Sequence, residues 1–270
     1  MKLQIKRRVS QLFFLISANL GAIGLKTGFC YPFFYCNSCP AATSACPIRS
    51  IEAGVYKAEW KWKLILYPFA IIGAVGIISG RAVCGWACPI GFLQRAISRF
   101  PRWLKQKIPF IKKLGRHKIE KKLRYTKYLV FISLVIVTPI LVGFMFTDIC
   151  PVGVLTGTIP ILILNPSKYI PNSFFYIALF IFILFIILIL LIERGWCRYF
   201  CPVGAMFAPF NKISFLHITV NLDKCIHCNA CSDVCPMGID VPNMNRDPEC
   251  ILCGKCINVC PKQIIKFEKV

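Results

Sequence analysis

Residues 225–260 carry two cysteine runs of one spacing, Cys225-x2-Cys228-x2-Cys231-x3-Cys235-Pro236 and Cys250-x2-Cys253-x2-Cys256-x3-Cys260-Pro261. Thiolates are soft ligands suited to iron–sulfur chemistry. The close spacing lets the first three sulfurs of a run grip one cubane, while proline directs the fourth toward the other cluster. This crossing assigns Cys225, Cys228, Cys231 and Cys260 to one [4Fe–4S] cluster, and Cys250, Cys253, Cys256 and Cys235 to a second. Structural zinc is the competing reading, but zinc ribbons use two separated pairs rather than this spacing. His227, inside the first run, reads as a local hydrogen-bonding group, since Cys225 and Cys228 already fit as ligands.

Two further pairs repeat a C-x3-C-P pattern. One lies in Arg81-Ala82-Val83-Cys84-Gly85-Trp86-Ala87-Cys88-Pro89-Ile90-Gly91, the other in Arg194-Gly195-Trp196-Cys197-Arg198-Tyr199-Phe200-Cys201-Pro202-Val203-Gly204. A spacing of four places both sulfurs on one helix face, and the proline sets each pair near a helix end. Cys84, Cys88, Cys197 and Cys201 together supply ligands for one shared centre, iron–sulfur ahead of zinc. Small, inert packing cysteines are the alternative. Elsewhere, Cys36, Cys39, Cys46 and Cys150 form a further tetrathiolate set, with Cys30 left over. An outer metal centre or disulfides in an oxidising exterior both accommodate that set.

The elements that must position these thiols are membrane helices. The chain has 270 residues, 57% hydrophobic and only 16% charged, against about 25% charged in ordinary soluble proteins. Apolar segments run from about Val9 to Leu25, Leu64 to Ser79, Tyr128 to Phe146 and Phe174 to Ile192. A spanning helix needs about 20 residues, so four spans are expected, arranged as two tandem hairpin repeats. Ser17-Ala18-Asn19 makes a poor cleavage site, which argues against a signal peptide in the first segment. The formal charge of +22 sits largely beside these segments rather than in a nucleic-acid-binding pattern. Its densest stretch, Arg95 to Lys127, is expected to be cytoplasmic, which puts both termini there in an inner (plasma) membrane. Trp103, Leu104, Ile108, Phe110, Ile111 and Leu114 interleave with basic residues. This stretch reads equally as an interfacial helix broken at Pro109 and as a solvated basic loop.

The fold class expected is an all-α polytopic membrane domain at 1–205, a linker at 206–220, and a small α+β module at 221–270. Ile218-Thr219-Val220 and Ile264-Ile265-Lys266-Phe267 look like paired strands framing that module. Roughly the last 50 residues resemble dicluster ferredoxins, on the strength of the two cysteine runs. With the spans and the C-x3-C-P motifs added, residues from about 60 onward resemble the NapH-type membrane iron–sulfur subunits associated with periplasmic nitrate reductase. They are also similar to the membrane part of the nitrous-oxide reductase accessory protein. The resemblance implies quinol oxidation and electron delivery to a periplasmic redox partner. The outer cysteines depart from that pattern.

Several chemistries are excluded or unsupported. No C-x-x-C-H haem site is present, and His117, His217 and His227 all lie outside the apolar segments. Thr156-Gly157-Thr158-Ile159 does not match a covalent-flavin pattern, and no G-x-G-x-x-G or P-loop occurs. The expected function is electron transfer between the quinone pool and protein partners, with quinone bound near Arg81, Trp86, Arg194 and Trp196. Interface anchoring explains those arginines equally well. The alternative function is maturation, in which the chain reduces a metal or a disulfide while a membrane oxidoreductase is built.

Overall fold

A computed structural model of the chain describes residues 2–36, 41–98, 118–164 and 173–269. Cys39 and the basic stretch around Trp103 and Pro109 lie outside the described residues. Among the described residues the fold is mostly helical, with one small sheet. Helices α1 (Lys2–Ala18), α2 (Pro47–Val55), α3 (Trp62–Ser79), α4 (Ala82–Trp86) and α5 (Pro89–Ile97) carry the first half. Helices α6 (Lys118–Leu123), α7 (Thr126–Leu141), α8 (151–164), α9 (Ser173–Leu191), α10 (Gly195–Tyr199) and α11 (Pro202–Phe207) carry the second.

Among the described residues, three stretches are long and apolar enough to cross a membrane: Trp62–Ser79, Phe146–Ile163 and Phe174–Leu191. The first expected span, Val9 to Leu25, instead forms α1 from Lys2 to Ala18. The register moved because Arg7 is drawn into the protein. Its Nε donates to the Gly85 carbonyl at 2.8 Å, and Gln11 reaches the same oxygen at 2.9 Å. The opposite face of α1 exposes Val9, Leu12, Phe13 and Ile16, a lipid-facing stripe.

The region 147–172, read from sequence as an outward loop, contains α8. Its Cys-Pro step starts a helix rather than a loop, because proline at the first helical position costs no hydrogen bond. Helices α7 and α8 each pass through a wide-turn stretch, Phe131–Val137 and Val154–Thr158, just before Pro139 and Pro160. The wider turn accommodates a residue that has no N–H to donate.

The first half turns at Gly80 (φ 55), the second at Arg194 (φ 58), each just before its C-x3-C-P motif. A left-handed backbone is natural for glycine and uncommon for arginine. Beyond α11, β1 (Leu216–Val220) pairs antiparallel with β2 (Ile265–Lys269), Leu216 opposite Lys269 and Val220 opposite Ile265. This sheet closes the C-terminal cysteine runs into a unit seated at the end of the helices where α1 begins and α3 and α9 finish.

Candidate iron–sulfur sites

The two C-terminal runs fold alike. His227 and Asn229 in the first, Leu252 and Gly254 in the second, are the left-handed residues, with φ of 51, 55, 48 and 64. These turns bend each run around a cavity. Alternating left- and right-handed residues form the concave backbone shape that suits an anionic group. Cys225, Cys228, Cys231 and Cys260 line one cavity of about 380 Å³. Cys235, Cys250, Cys253 and Cys256 line another of about 330 Å³. The proline-linked fourth cysteine of each run thus lies with the other run's trio. The rest of the second lining is largely apolar, from Ile218, Met237, Ile239 and Val241. Burial pushes the Cys256 thiol up to about 12 and raises Cys235 and Cys250 as well. Ionising such thiols needs the positive charge of a bound metal.

The C-x3-C-P motifs meet at the end of the helices. Cys84, Cys88, Cys197 and Cys201 are all buried and close enough to act on one another electrostatically. Desolvation raises Cys84, Cys201 and Cys88, the last to about 12. Gln94, buried on α5, donates from Nε2 to the Cys197 sulfur at 3.3 Å.

The arginine of each motif crosses to the other. Arg194 Nη1 donates to the Cys84 carbonyl at 2.7 Å and Nη2 to the Gly91 carbonyl at 3.2 Å. Arg81 Nη2 donates to the Cys197 carbonyl at 3.5 Å. The glycines of the C-P-[IV]-G segments make room for this. A Cβ at Gly91 would stand 2.9 Å from Arg194 Nη2, and one at Gly204 3.0 Å from Arg81 Nη2. Both guanidiniums are fully buried and held in these braces, so neither is an interface anchor nor an open quinone contact. Trp86 is likewise committed. Trp196 packs among Phe146, Phe185 and Phe200, and its Nε1 has no hydrogen-bond partner among the described residues.

The C-terminal unit is locked onto this group of four thiols. Trp86 Nε1 donates to the Leu252 carbonyl at 2.9 Å, and Gln4 Nε2 to the Cys253 carbonyl at 3.0 Å. Gly85 admits the loop, since a Cβ there would sit 2.1 Å from the Ile251 oxygen. Glu249, beside Cys250, pairs with Arg81 at 2.8 Å and with Lys127. Burial opposes its ionisation, but the two cations outweigh burial and hold the carboxyl below its ordinary range. A second buried knot joins Glu120 to Arg198 and Arg124, with Arg198 Nη2 donating to the Pro236 carbonyl at 2.6 Å. Nothing in residue spacing flagged Gln94, Glu249, Glu120 or Lys127. Apart from the local Glu120–Arg124 pair, their partners are distant in sequence and visible only after folding.

Away from the C-x3-C-P motifs, Cys36, Cys46 and Cys150 line a cavity of about 340 Å³ with Arg49, Thr147 and Asp148. Cys39, expected as their fourth member, lies outside the described residues. Cys30 is buried nearby, its backbone bridged to Ala45. Among the described residues, no three His, Cys, Asp or Glu side chains converge closely enough to hold a single metal ion. Cys36, Cys46 and Cys150 stand around one cavity, and the two C-terminal sets stand around two others.

A 4Fe–4S binding domain model matches residues 63–111 and 174–219, and a 4Fe–4S dicluster domain model matches residues 217–261. An uncharacterized protein of Methanocaldococcus jannaschii is 30% identical over 246 residues, 89% of this chain and 85% of the relative. The ferredoxin-type protein NapH of Escherichia coli is 28% identical over 178 residues, 62% of this chain and 53% of NapH. The chain belongs to the NapH-type family of 4Fe–4S membrane proteins. The methylamine utilization ferredoxin-type protein MauN of Methylobacillus flagellatus is 26% identical over 171 residues, 62% of this chain and 52% of MauN. The chain thus spans about half the length of its NapH and MauN relatives. No solved structure matches it significantly. The 4Fe–4S domain matches cover both C-x3-C-P motifs and both C-terminal runs, but not Cys36, Cys46 or Cys150.

Proposed function

We propose that this chain moves electrons between membrane quinol and a protein redox partner, through a centre at the C-x3-C-P motifs and the C-terminal dicluster unit. One observation carries the reading. Trp86, between Cys84 and Cys88, is hydrogen-bonded to Leu252, between Cys250 and Cys253. The two thiol sets are held face to face without a flexible tether.

Bound iron–sulfur clusters supply one-electron redox chemistry, which lets a two-electron donor such as quinol be handled in single steps. The chain's own residues supply position and electrostatics. Cys84, Cys88, Cys197 and Cys201 hold the inner centre. Cys235, Cys250, Cys253 and Cys256 hold the cluster nearest to it, and Cys225, Cys228, Cys231 and Cys260 hold the one nearest solvent. Exposure supports that order, because Cys228 is exposed while Cys253 and Cys256 are buried. Gln94 stabilises negative charge on Cys197, and Glu249 with Arg81 and Lys127 fixes the approach of the dicluster unit.

Four spans with both termini cytoplasmic suit this traffic and the basic flank before α7. The quinol and the partner are inferred from the family, as a NapH-like subunit would use them.

The reading is tested by adding a quinol analogue anaerobically to the purified full-length chain and following cluster reduction by electron paramagnetic resonance. Reduction is expected in the native chain. A Cys84→Ser, Cys201→Ser variant should keep the dicluster signals after dithionite yet lose their reduction by quinol. Equal quinol reduction in both proteins would defeat the proposal.

A further inference from the structure

We infer that Cys36, Cys46 and Cys150 hold an additional iron–sulfur cluster, buried at half depth within the membrane domain rather than exposed at its far surface. The sulfurs come from three separate segments and face one cavity. Cys36 lies over the first turn of α8, its sulfur 3.6 Å from where a Gly153 side chain would begin. All three are free thiols.

The local build matches that of the inner motifs. Cys46 (φ −75, ψ 128) and Cys150 (φ −65, ψ 124) are extended residues capping a helix that starts with proline. Cys88 (φ −64, ψ 116) and Cys201 (φ −69, ψ 112) do the same. In each case the thiol sits beside the free amides of a helix start, where negative charge is favoured. The chain therefore uses one ligand-presenting device four times, twice outside the matched 4Fe–4S domains.

Depth follows from helix lengths. Helix α2 packs against α3 and is joined to it at the far end, with Lys61 N–H donating to the Gly54 carbonyl at 2.9 Å. At 1.5 Å per residue, α2's nine residues carry the chain about 14 Å, against about 27 Å for the eighteen of α3. Cys46 thus lies near the middle. Helix α2 also touches α11, which follows Cys201, and the central stretch of α7. From the other half, Phe146 stacks on Trp196, the neighbour of Cys197, with ring centroids 6.5 Å apart. Broken helices at such depth are tolerated where they are enclosed by protein or line a cavity, as here.

The ligand class follows from the spread of the thiols. A single zinc or copper ion needs sulfurs converging to about 2.3 Å from one point. No such convergence exists among the described residues, and the thiols ring a cavity as they do in the dicluster unit. The Arg49–Asp148 pair, 2.8 Å apart, gives the cavity a polar mouth.

A half-depth cluster would divide a hydrocarbon core of about 30 Å into two shorter steps. Each electron gained there is one electron lost by the centre at Cys84, Cys88, Cys197 and Cys201. This relay role rests on the proposed function, whereas occupancy of the site does not.

The test uses the full-length chain, isolated anaerobically. Iron, acid-labile sulfide and Mössbauer spectra are compared for the native protein, Cys36→Ser, Cys46→Ser, Cys150→Ser and Cys88→Ser. The three outer variants should lose the same iron and the same spectral component. Cys88→Ser should remove a different component, and its failure to do so would overturn the inner reading while leaving the outer one intact. Cys36 is not a helix cap, so its variant remains informative where the two cap variants do not fold. Unchanged iron and sulfide in Cys36→Ser would overturn the inference. So would zinc or copper at the site, or a Cys46–Cys150 disulfide in the native chain.

Discussion

Arg194 and Cys84 stand 110 positions apart, yet Arg194 Nη1 sits 2.7 Å from the Cys84 carbonyl oxygen. Arg81 returns the contact to Cys197. Each half of the chain thus braces the other's cysteine turn, and the centre cannot form from one half alone. Replacing Arg194 by lysine keeps the charge but loses the planar fork that reaches Cys84 and Gly91 together. Loss of one charged hydrogen bond should cost about 1.5–3 kcal/mol. The expected result is a lower melting temperature and a weakened inner-centre signal, with the dicluster signals intact.

Glycine at 91 and 204 is required by the same braces. Gly91→Ala and Gly204→Ala should each destabilise the fold by about 1–3 kcal/mol, since the added methyl meets a packed guanidinium. Gly85→Ala should be worse, because its methyl meets the fixed Ile251 backbone rather than a movable side chain. Limited proteolysis between α11 and β1 reads the difference, with faster cleavage expected for Gly85→Ala only.

Glu249 is the shared anion of Arg81 and Lys127. Glu249→Gln leaves two buried cations without a counter-charge, a loss of about 3–5 kcal/mol. Adding Lys127→Met to that variant should restore part of the stability, which a thermal double-mutant cycle measures. Strict additivity would remove the shared-anion account.

Gln94 donates to the Cys197 sulfur. Hydrogen bonds to cluster sulfurs stabilise the reduced, more negative state. A bond worth about 1 kcal/mol corresponds to about 40 mV in a one-electron couple, so Gln94→Leu should lower the inner potential by that order. Potentiometric titration followed by electron paramagnetic resonance checks the sign, and the dicluster potentials should stay in place.

The crossing of the two C-terminal runs gives opposite outcomes for their last cysteines. Cys235 lines the cavity of the second run and Cys260 that of the first. Cys235→Ser should therefore disturb the buried cluster beside Trp86, and Cys260→Ser the exposed one. Quinol reduction of the remaining cluster should slow with Cys235→Ser and persist with Cys260→Ser.

The cysteine spacings alone pointed to ferredoxin-type iron–sulfur chemistry, because ligation within a run is set by a few covalent links that spacing records directly. Apolar composition and proline placement likewise marked a membrane protein with repeated Cys-Pro steps. What spacing could not carry was depth and long-range contact. The stretch 147–172 read as a loop, yet a proline after Cys150 begins a helix that the packing of α9 and Trp196 holds inside the bundle. Arg81 and Arg194 read equally as neighbours of a quinone site and as interface anchors, since arginine beside an apolar run ordinarily snorkels to the lipid surface. Only the folded chain turns them inward, where carbonyls from the opposite half take up their charge. Arg7 follows the same rule on Gly85 and shifts α1 toward the N-terminus. These positions were decided by partners far away in sequence, whose meeting depends on how complete helices pack and leaves no periodic trace in the residues themselves.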